Sequence, residues 1–251
     1  MKLKEVTLFG GTGLIGSLLL DILIKDNDYH KINVVTRKSI SLSHKKIKIH
    51  IIDFSNSKSY SQTLRNSQIV FASIGTTQSK VKGNKESYRK IDFDIIYNIA
   101  KACKENNVEN FSFVSSSGAN IKSNNFYLNL KGEIENSILN LNLSSTSVFR
   151  PSLLLGKRKE KRYGEKIAQL IMPFLSFLIP SKYKPIRAAL VAKSMVNISK
   201  SIQPGFKIYH YKEIIKDGPP CLQSLCSQGF PEGTRNNGLF NIGVYLRKFD
   251  P

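Results

Sequence analysis

Val6-Thr7-Leu8-Phe9-Gly10-Gly11-Thr12-Gly13-Leu14-Ile15-Gly16 decides the fold. A short apolar run ends in glycines, and residues 14–24 then carry apolar side chains at helical spacing. A glycine triple is weak by itself, but here it follows a strand directly and opens a helix, which is the context its chemistry requires. Gly10 permits the tight turn, Gly13 lets the backbone approach a pyrophosphate, and Gly16 lets the helix pack close on the strand. Thr12, Leu14 and Ile15 complete the loop, whose backbone N–H groups face phosphates at a helix N-terminus.

Outward from this stretch the chain keeps alternating. Strand-like runs occupy 32–36, 46–54, 68–75, 110–115 and 145–149, and helical patterns occupy 14–24, 92–105 and 127–141. Ile47, Ile49 and Ile51 alternate in the third run before it closes on Asp53-Phe54. Alternating strands and helices imply parallel βαβ units, hence an α/β, Rossmann-like doubly wound parallel sheet with helices on both faces. Residues 151–201 read as helical and basic, and 206–211 as a last strand. Within them 168–179 is strongly apolar, too short to span a bilayer, and reads as a core or pocket-lining helix.

Composition breaks near Asp217. Residues 217–251 hold five of the 16 glycines, four of the nine prolines and two of the three cysteines, and their charges cancel. One domain over 1–216 and a poorly packed tail of different origin over 217–251 is the expected organisation. Cys221 and Cys226 lack a second pair of ligands, so no metal site is expected.

The end of the second strand bears on cofactor type. Thr36 is followed by Arg37 and Lys38, two cations where an NAD site would place a carboxylate for the ribose 2′-hydroxyl. Cations there suit a 2′-phosphate, so NADP(H) is expected. Asp53 is placed to hold the adenine amino group and Phe54 to cover the ring, while Ile74-Gly75-Thr76 would run beneath the dinucleotide. Tyr127 and Lys131 stand at i and i+4 on one helical face, where the ammonium favours the phenolate and can also bind a nicotinamide ribose. Ser115-Ser116-Ser117-Gly118 ends the fifth strand, and a serine there can polarise a substrate carbonyl.

These residues together resemble the short-chain dehydrogenase/reductase superfamily in its extended, atypical branch, and more closely the Tat-interacting oxidoreductase family of NADPH-binding reductases. Gly75-Thr76-Thr77, Val114-Ser115-Ser116, Phe126-Tyr127-Leu128 with Lys131-Gly132-Glu133, and Ser147-Val148-Phe149-Arg150-Pro151 carry the likeness, which continues through Leu154-Leu155 and Arg162 with Gly164-Glu165. It implies an NADPH pocket that adds Leu154 and Arg162 to the residues above, with Tyr127 as the active residue and Ser115 at the family's spacing from it. The segment 229–246 resembles a piece of phage-type primase–helicase proteins.

The 251 residues carry 41% hydrophobic and 22% charged residues, enough to bury a core and unlike a disordered polymer. Three cysteines exclude a disulfide scaffold and fit a reducing compartment, and no signal peptide or membrane span is visible, so a cytoplasmic protein is expected. The net charge of +20 is extreme, but the lysines are scattered and rarely interleaved with aromatics, which disfavours a nucleic-acid partner. The reading is an NADPH-dependent oxidoreductase acting on a small carbonyl compound. A regulatory NADPH-binding protein with little turnover, which leaves room for a protein partner, is the alternative, with a nucleic-acid-associated protein behind it.

Overall fold

The sheet is built outward from β1 (Lys4–Phe9), whose Val6, Leu8 and Phe9 are fully buried, as a central strand with helices on both faces demands. The computed structural model describes residues 3–156 and 183–216. Around β1 stand β2 (Tyr29–Thr36), β3 (Ile47–Ile51), β4 (Ile69–Ala72), β5 (Asn110–Val114), β6 (Ser145–Phe149) and β9 (Gly205–Tyr209), all parallel, in the order β3-β2-β1-β4-β5-β6-β9. The order reverses between β1 and β4, so the carboxyl ends of these two strands flank the crevice where open α/β sheets bind ligands.

Each face has its own layer. Helix α1 (Leu14–Lys25) and helix α6 (Ala188–Lys200) cover one face, where Leu19, Leu23, Val191 and Met195 meet Leu8, Val34 and Phe71. Helices α2 (Lys58–Leu64), α4 (Ile95–Glu105) and α5 (Phe126–Leu139) cover the other, where Tyr60, Leu64, Ile99 and Ile138 meet Phe9, Val35, Val70 and Phe111. Short α3 (Lys85–Arg89) runs through a π-helical turn, Lys90–Asp94, into α4. A separate parallel pair, β7 (Leu154–Leu155) with β8 (Ile186–Arg187), brackets the undescribed stretch, and α7 (Tyr211–Lys216) ends the described chain.

The doubly wound parallel sheet is as the alternation predicts. Some details differ. The first turn of the 92–105 helix is the π turn, with α3 before it. Helix α2 has only seven residues, too few for its period to register. The strand expected at 206–211 stops at Tyr209, and Tyr211 opens α7 instead. The apolar stretch 168–179, Arg162 and the whole tail 217–251 lie outside the described residues. No helix among the described residues is long and apolar enough to cross a membrane.

A buried ion pair ties the end of β6 to α5. Arg150 reaches Glu135 through both carboxylate oxygens, with Nε at 2.9 Å from Oε1, and Ser115 at the end of β5 also donates to Glu135. The Glu135 side chain is only 6% exposed, so a lone carboxylate there would be costly. Arg150→Met should destabilise the protein by about 3–5 kcal/mol in urea unfolding, and adding Glu135→Gln should recover most of that loss.

Candidate functional site

The glycine turn fits its task through close contacts. Gly10 has φ +84°, and a Cβ there would lie 2.8 Å from the Ser73 carbonyl oxygen at the end of β4. A Cβ on Gly16 would run into the Gly10 carbonyl, so α1 can cross the loop only because both residues lack side chains. The N-terminus of α1 has Gly13 as its cap, receives no side-chain hydrogen bond and has no acid in its first turn. Its backbone donors are thus left for a ligand, with the helix dipole favouring negative charge.

A cleft of about 390 Å³ opens over this turn. Gly10, Thr12 and Gly13 form its base, Arg37 and Lys38 one wall, and Ile74, Gly75 and Thr76 the opposite wall. Among the described residues neither Arg37 nor Lys38 has a carboxylate within ion-pair distance, and no acid lines the cleft. Thr36 is occupied in donating its hydroxyl to the Lys38 carbonyl, 2.8 Å, which fixes the turn presenting both cations. Phe54 lines the cleft as expected. Asp53, expected to hold the adenine amino group, is not among the residues lining the cleft; its carboxylate accepts from the Ser55 backbone and hydroxyl, which hold its pKa below the usual value. Leu14, Ile15 and Gly16 belong to α1, and Leu154 lies on β7 beyond the loop.

The second half of the site is on α5. Tyr127, Lys131 and Glu135 follow at i, i+4 and i+8 and form one stripe. Lys131 Nζ lies 5.8 Å from the centre of the Tyr127 ring and 2.8 Å from Asp92 Oδ1. Both partners of that pair are almost fully buried, with side chains 5% and 2% exposed. The other Asp92 oxygen accepts from the Thr76 backbone N–H at 2.7 Å, so one carboxylate joins the ammonium to the cleft wall. Burial pushes the Lys131 ammonium down, but Asp92, with Tyr127 and Glu135, more than reverses this and holds its pKa above the ordinary lysine value. Tyr88 packs edge-on against Tyr127 and donates to the Thr76 carbonyl, 3.2 Å.

The structure therefore brings Tyr127 and Lys131 together on one face of α5, tied to the cleft wall through Asp92 and the Thr76 backbone, while Ser115 gives its hydroxyl proton to Glu135, one turn further along the stripe. Sequence reasoning missed Asp92, Glu135 and Arg150. The only sequence signal for Asp92 is an acid between Ile91 and Phe93 in a basic stretch. No group of acids, histidines or cysteines suited to a metal occurs among the described residues.

Comparison with known proteins bears on the family and the fold. The NAD(P)H-binding family model matches residues 10–161. A Candida albicans protein named FMP52, mitochondrial, is 33% identical over 199 residues, covering 77% of this chain and 86% of its own. Rat HTATIP2 is 27% identical over 208 residues, covering 82% and 84%. Among solved structures, a UDP-N-acetylglucosamine 4-epimerase from Methanobrevibacter ruminantium superposes with a TM-score of 0.65 at 21% identity, covering 84% and 77% of the two chains. The Bordetella bronchiseptica enzyme WbmH, in complex with NAD+, does so with a TM-score of 0.64 at 16% identity, covering 92% and 84%. These two show the fold.

Two expectations are affected. The cytoplasmic location is corrected, because fungal relatives at this level of identity carry the name mitochondrial; a low cysteine count fits any reducing compartment and cannot tell one from another. The primase–helicase likeness finds no support in these matches and falls on undescribed residues.

Gly16→Ala should abolish dinucleotide binding and lower stability by about 1–3 kcal/mol, the usual cost of forcing a methyl into filled space. Calorimetric titration and urea unfolding read the two effects separately.

Proposed function

The chain belongs to the NAD(P)H-binding family, and from that premise we propose that it is an NADPH-dependent oxidoreductase of the short-chain dehydrogenase/reductase type, reducing a carbonyl group of a small molecule. The observation that carries the reading is the cleft wall of Arg37 and Lys38, cationic and unpaired among the described residues, beside a glycine turn with open backbone donors. Arg37 and Lys38 hold the 2′-phosphate by charge-assisted hydrogen bonds. The α1 N-terminus holds the pyrophosphate, and Ile74 to Thr76 support the nicotinamide half. The bound nicotinamide supplies the hydride.

The chain's own residues then handle the proton. Tyr127 Oη gives its proton to the substrate oxygen as negative charge develops there. Lys131 stabilises the phenolate left behind and binds the ribose, and Asp92 keeps that ammonium charged and fixed although it is buried. Ser115 stands at the β5 end nearest this chemistry and orients the carbonyl after its hydroxyl turns from Glu135. That commitment to Glu135 is also what favours a second reading, a dinucleotide-binding regulatory protein with little turnover.

Arg37→Ala with Lys38→Ala should weaken NADPH by about 1.5–3 kcal/mol, roughly 10- to 150-fold, and leave NADH nearly unchanged in calorimetric titration. An equal loss for both would defeat the 2′-phosphate assignment. Tyr127→Phe should keep NADPH affinity within about twofold while carbonyl reduction falls by about 100-fold or more. Unchanged turnover would remove Tyr127 from the chemistry.

A further inference from the structure

The face of the sheet beneath α2 changes character halfway along its strands. Towards the carboxyl ends, Phe9 and Val35 pack against Tyr60 and Leu64. Towards the amino ends the same face presents Glu5 and Thr7 of β1, Lys31 and Asn33 of β2, and Lys48 and His50 of β3, spaced two apart so that all point the same way. Because α2 stops at Leu64, its apolar side chains end above Phe9 and Val35, and Thr7 packs against Thr63 and Ser67. Arg65 and Asn66 (φ +68°) carry the chain around the edge instead. The result is a second cavity, about 440 Å³, within the size range of small-molecule sites.

Its floor is organised. Asn33, 2% exposed, donates to Glu5 Oε1 at 2.7 Å, and its side-chain oxygen lies 3.0 Å from His50 Nε2. That oxygen accepts, so Nε2 carries the hydrogen and Nδ1 is left as the titrating nitrogen. Lys31 neutralises Glu5 at 3.0 Å. Among the described residues Glu5 is the cavity's only carboxylate, and this pairing uses it up. Lys48 and Arg65 also line the cavity, and among the described residues neither has an ion-pair partner. A polar floor on a sheet face costs stability unless its groups are satisfied, and here two unbalanced cations stand above it.

We infer that this second cavity binds a phosphate-bearing small molecule, held by Lys48 and Arg65 with His50 as a third donor, separately from the dinucleotide cleft. An arginine fork and an ammonium match the several oxygens and double charge of a phosphate better than a single carboxylate. The groups facing His50 are Lys48, Lys31, Arg65 and Glu5. Burial first, then the nearby lysines, hold its pKa below the ordinary histidine value, so the ring is neutral near pH 7 in the free protein. A dianion between Lys48 and Arg65 reverses that field, and the ring takes up a proton that it donates through Nδ1.

Inorganic pyrophosphate is the probe. Titration uses the full chain carrying Gly16→Ala together with Arg37→Ala and Lys38→Ala, which removes both the pyrophosphate-binding turn and the cationic wall of the dinucleotide cleft, so that this cleft does not compete. The expected result is one bound pyrophosphate per chain. Further Lys48→Ala and Arg65→Ala substitutions should weaken it at least about tenfold. Lys101→Ala with Lys122→Ala, which removes the same charge elsewhere, should change it less than about twofold. Calorimetry at pH 7 in buffers of different ionisation enthalpy should show proton uptake that His50→Gln removes. No binding at millimolar pyrophosphate, binding indifferent to Lys48 and Arg65, equal loss in the control pair, or proton uptake that persists in His50→Gln would each overturn the assignment. Circular dichroism of each variant confirms folding, and all the substituted lysines and arginines are on the surface.

Discussion

The crossing of α1 over the Gly10 carbonyl is the constraint on which the rest depends. At that point a helix and a strand end approach more closely than any pair of side chains would allow. The contact sets the height of α1 above the sheet, and through Leu19 and Leu23 it places the layer that α1 shares with α6. It also leaves the N-terminus of α1 without a side-chain cap, so the same geometry that packs the fold leaves a row of backbone donors for phosphate oxygens. Stability and ligand binding therefore meet in the same few atoms.

A second link joins the two halves of the site. Asp92 sits in a π-helical turn, where an extra backbone residue shifts the side-chain register. From there it reaches Lys131 on α5 and the Thr76 backbone on the cleft wall. Truncating either member of such a buried pair would leave an uncompensated charge, which accounts for an ammonium and a carboxylate persisting together in the interior.

Much of this was legible in the sequence, because the signals are local. The glycine spacing, the apolar strand runs and the i, i+4 relation of Tyr127 and Lys131 are each contained within a dozen residues. What stayed hidden depends on contacts between distant parts of the chain. Asp92 meets Lys131 only after β5 and the loop that follows it have been laid down. Ser115 could be placed at a strand end, but the direction of its hydroxyl is set by Glu135, which Arg150 in turn holds. The seven residues of α2 are too few to show a period, so the polar half-face beside it could not be foreseen. Cell location was misread because composition reports redox conditions and not the organelle.

The charge of +20 also takes on structure. Several of the less exposed cations are matched, Lys131 by Asp92, Arg150 by Glu135, Lys31 by Glu5, and Lys200 by Asp26 and Asp28. Arg37, Lys38, Lys48 and Arg65, without such partners among the described residues, border two cavities, so the surplus charge can draw anionic ligands toward both. The most direct test of the central claim is thermal unfolding with NADPH, NADH or ATP, each at the same concentration. NADPH at 100 times its dissociation constant should add about 2.7 kcal/mol, a rise of several degrees, with NADH giving less and ATP little. No shift with either dinucleotide would contradict the account, because the glycine turn would then be a structural device without a ligand.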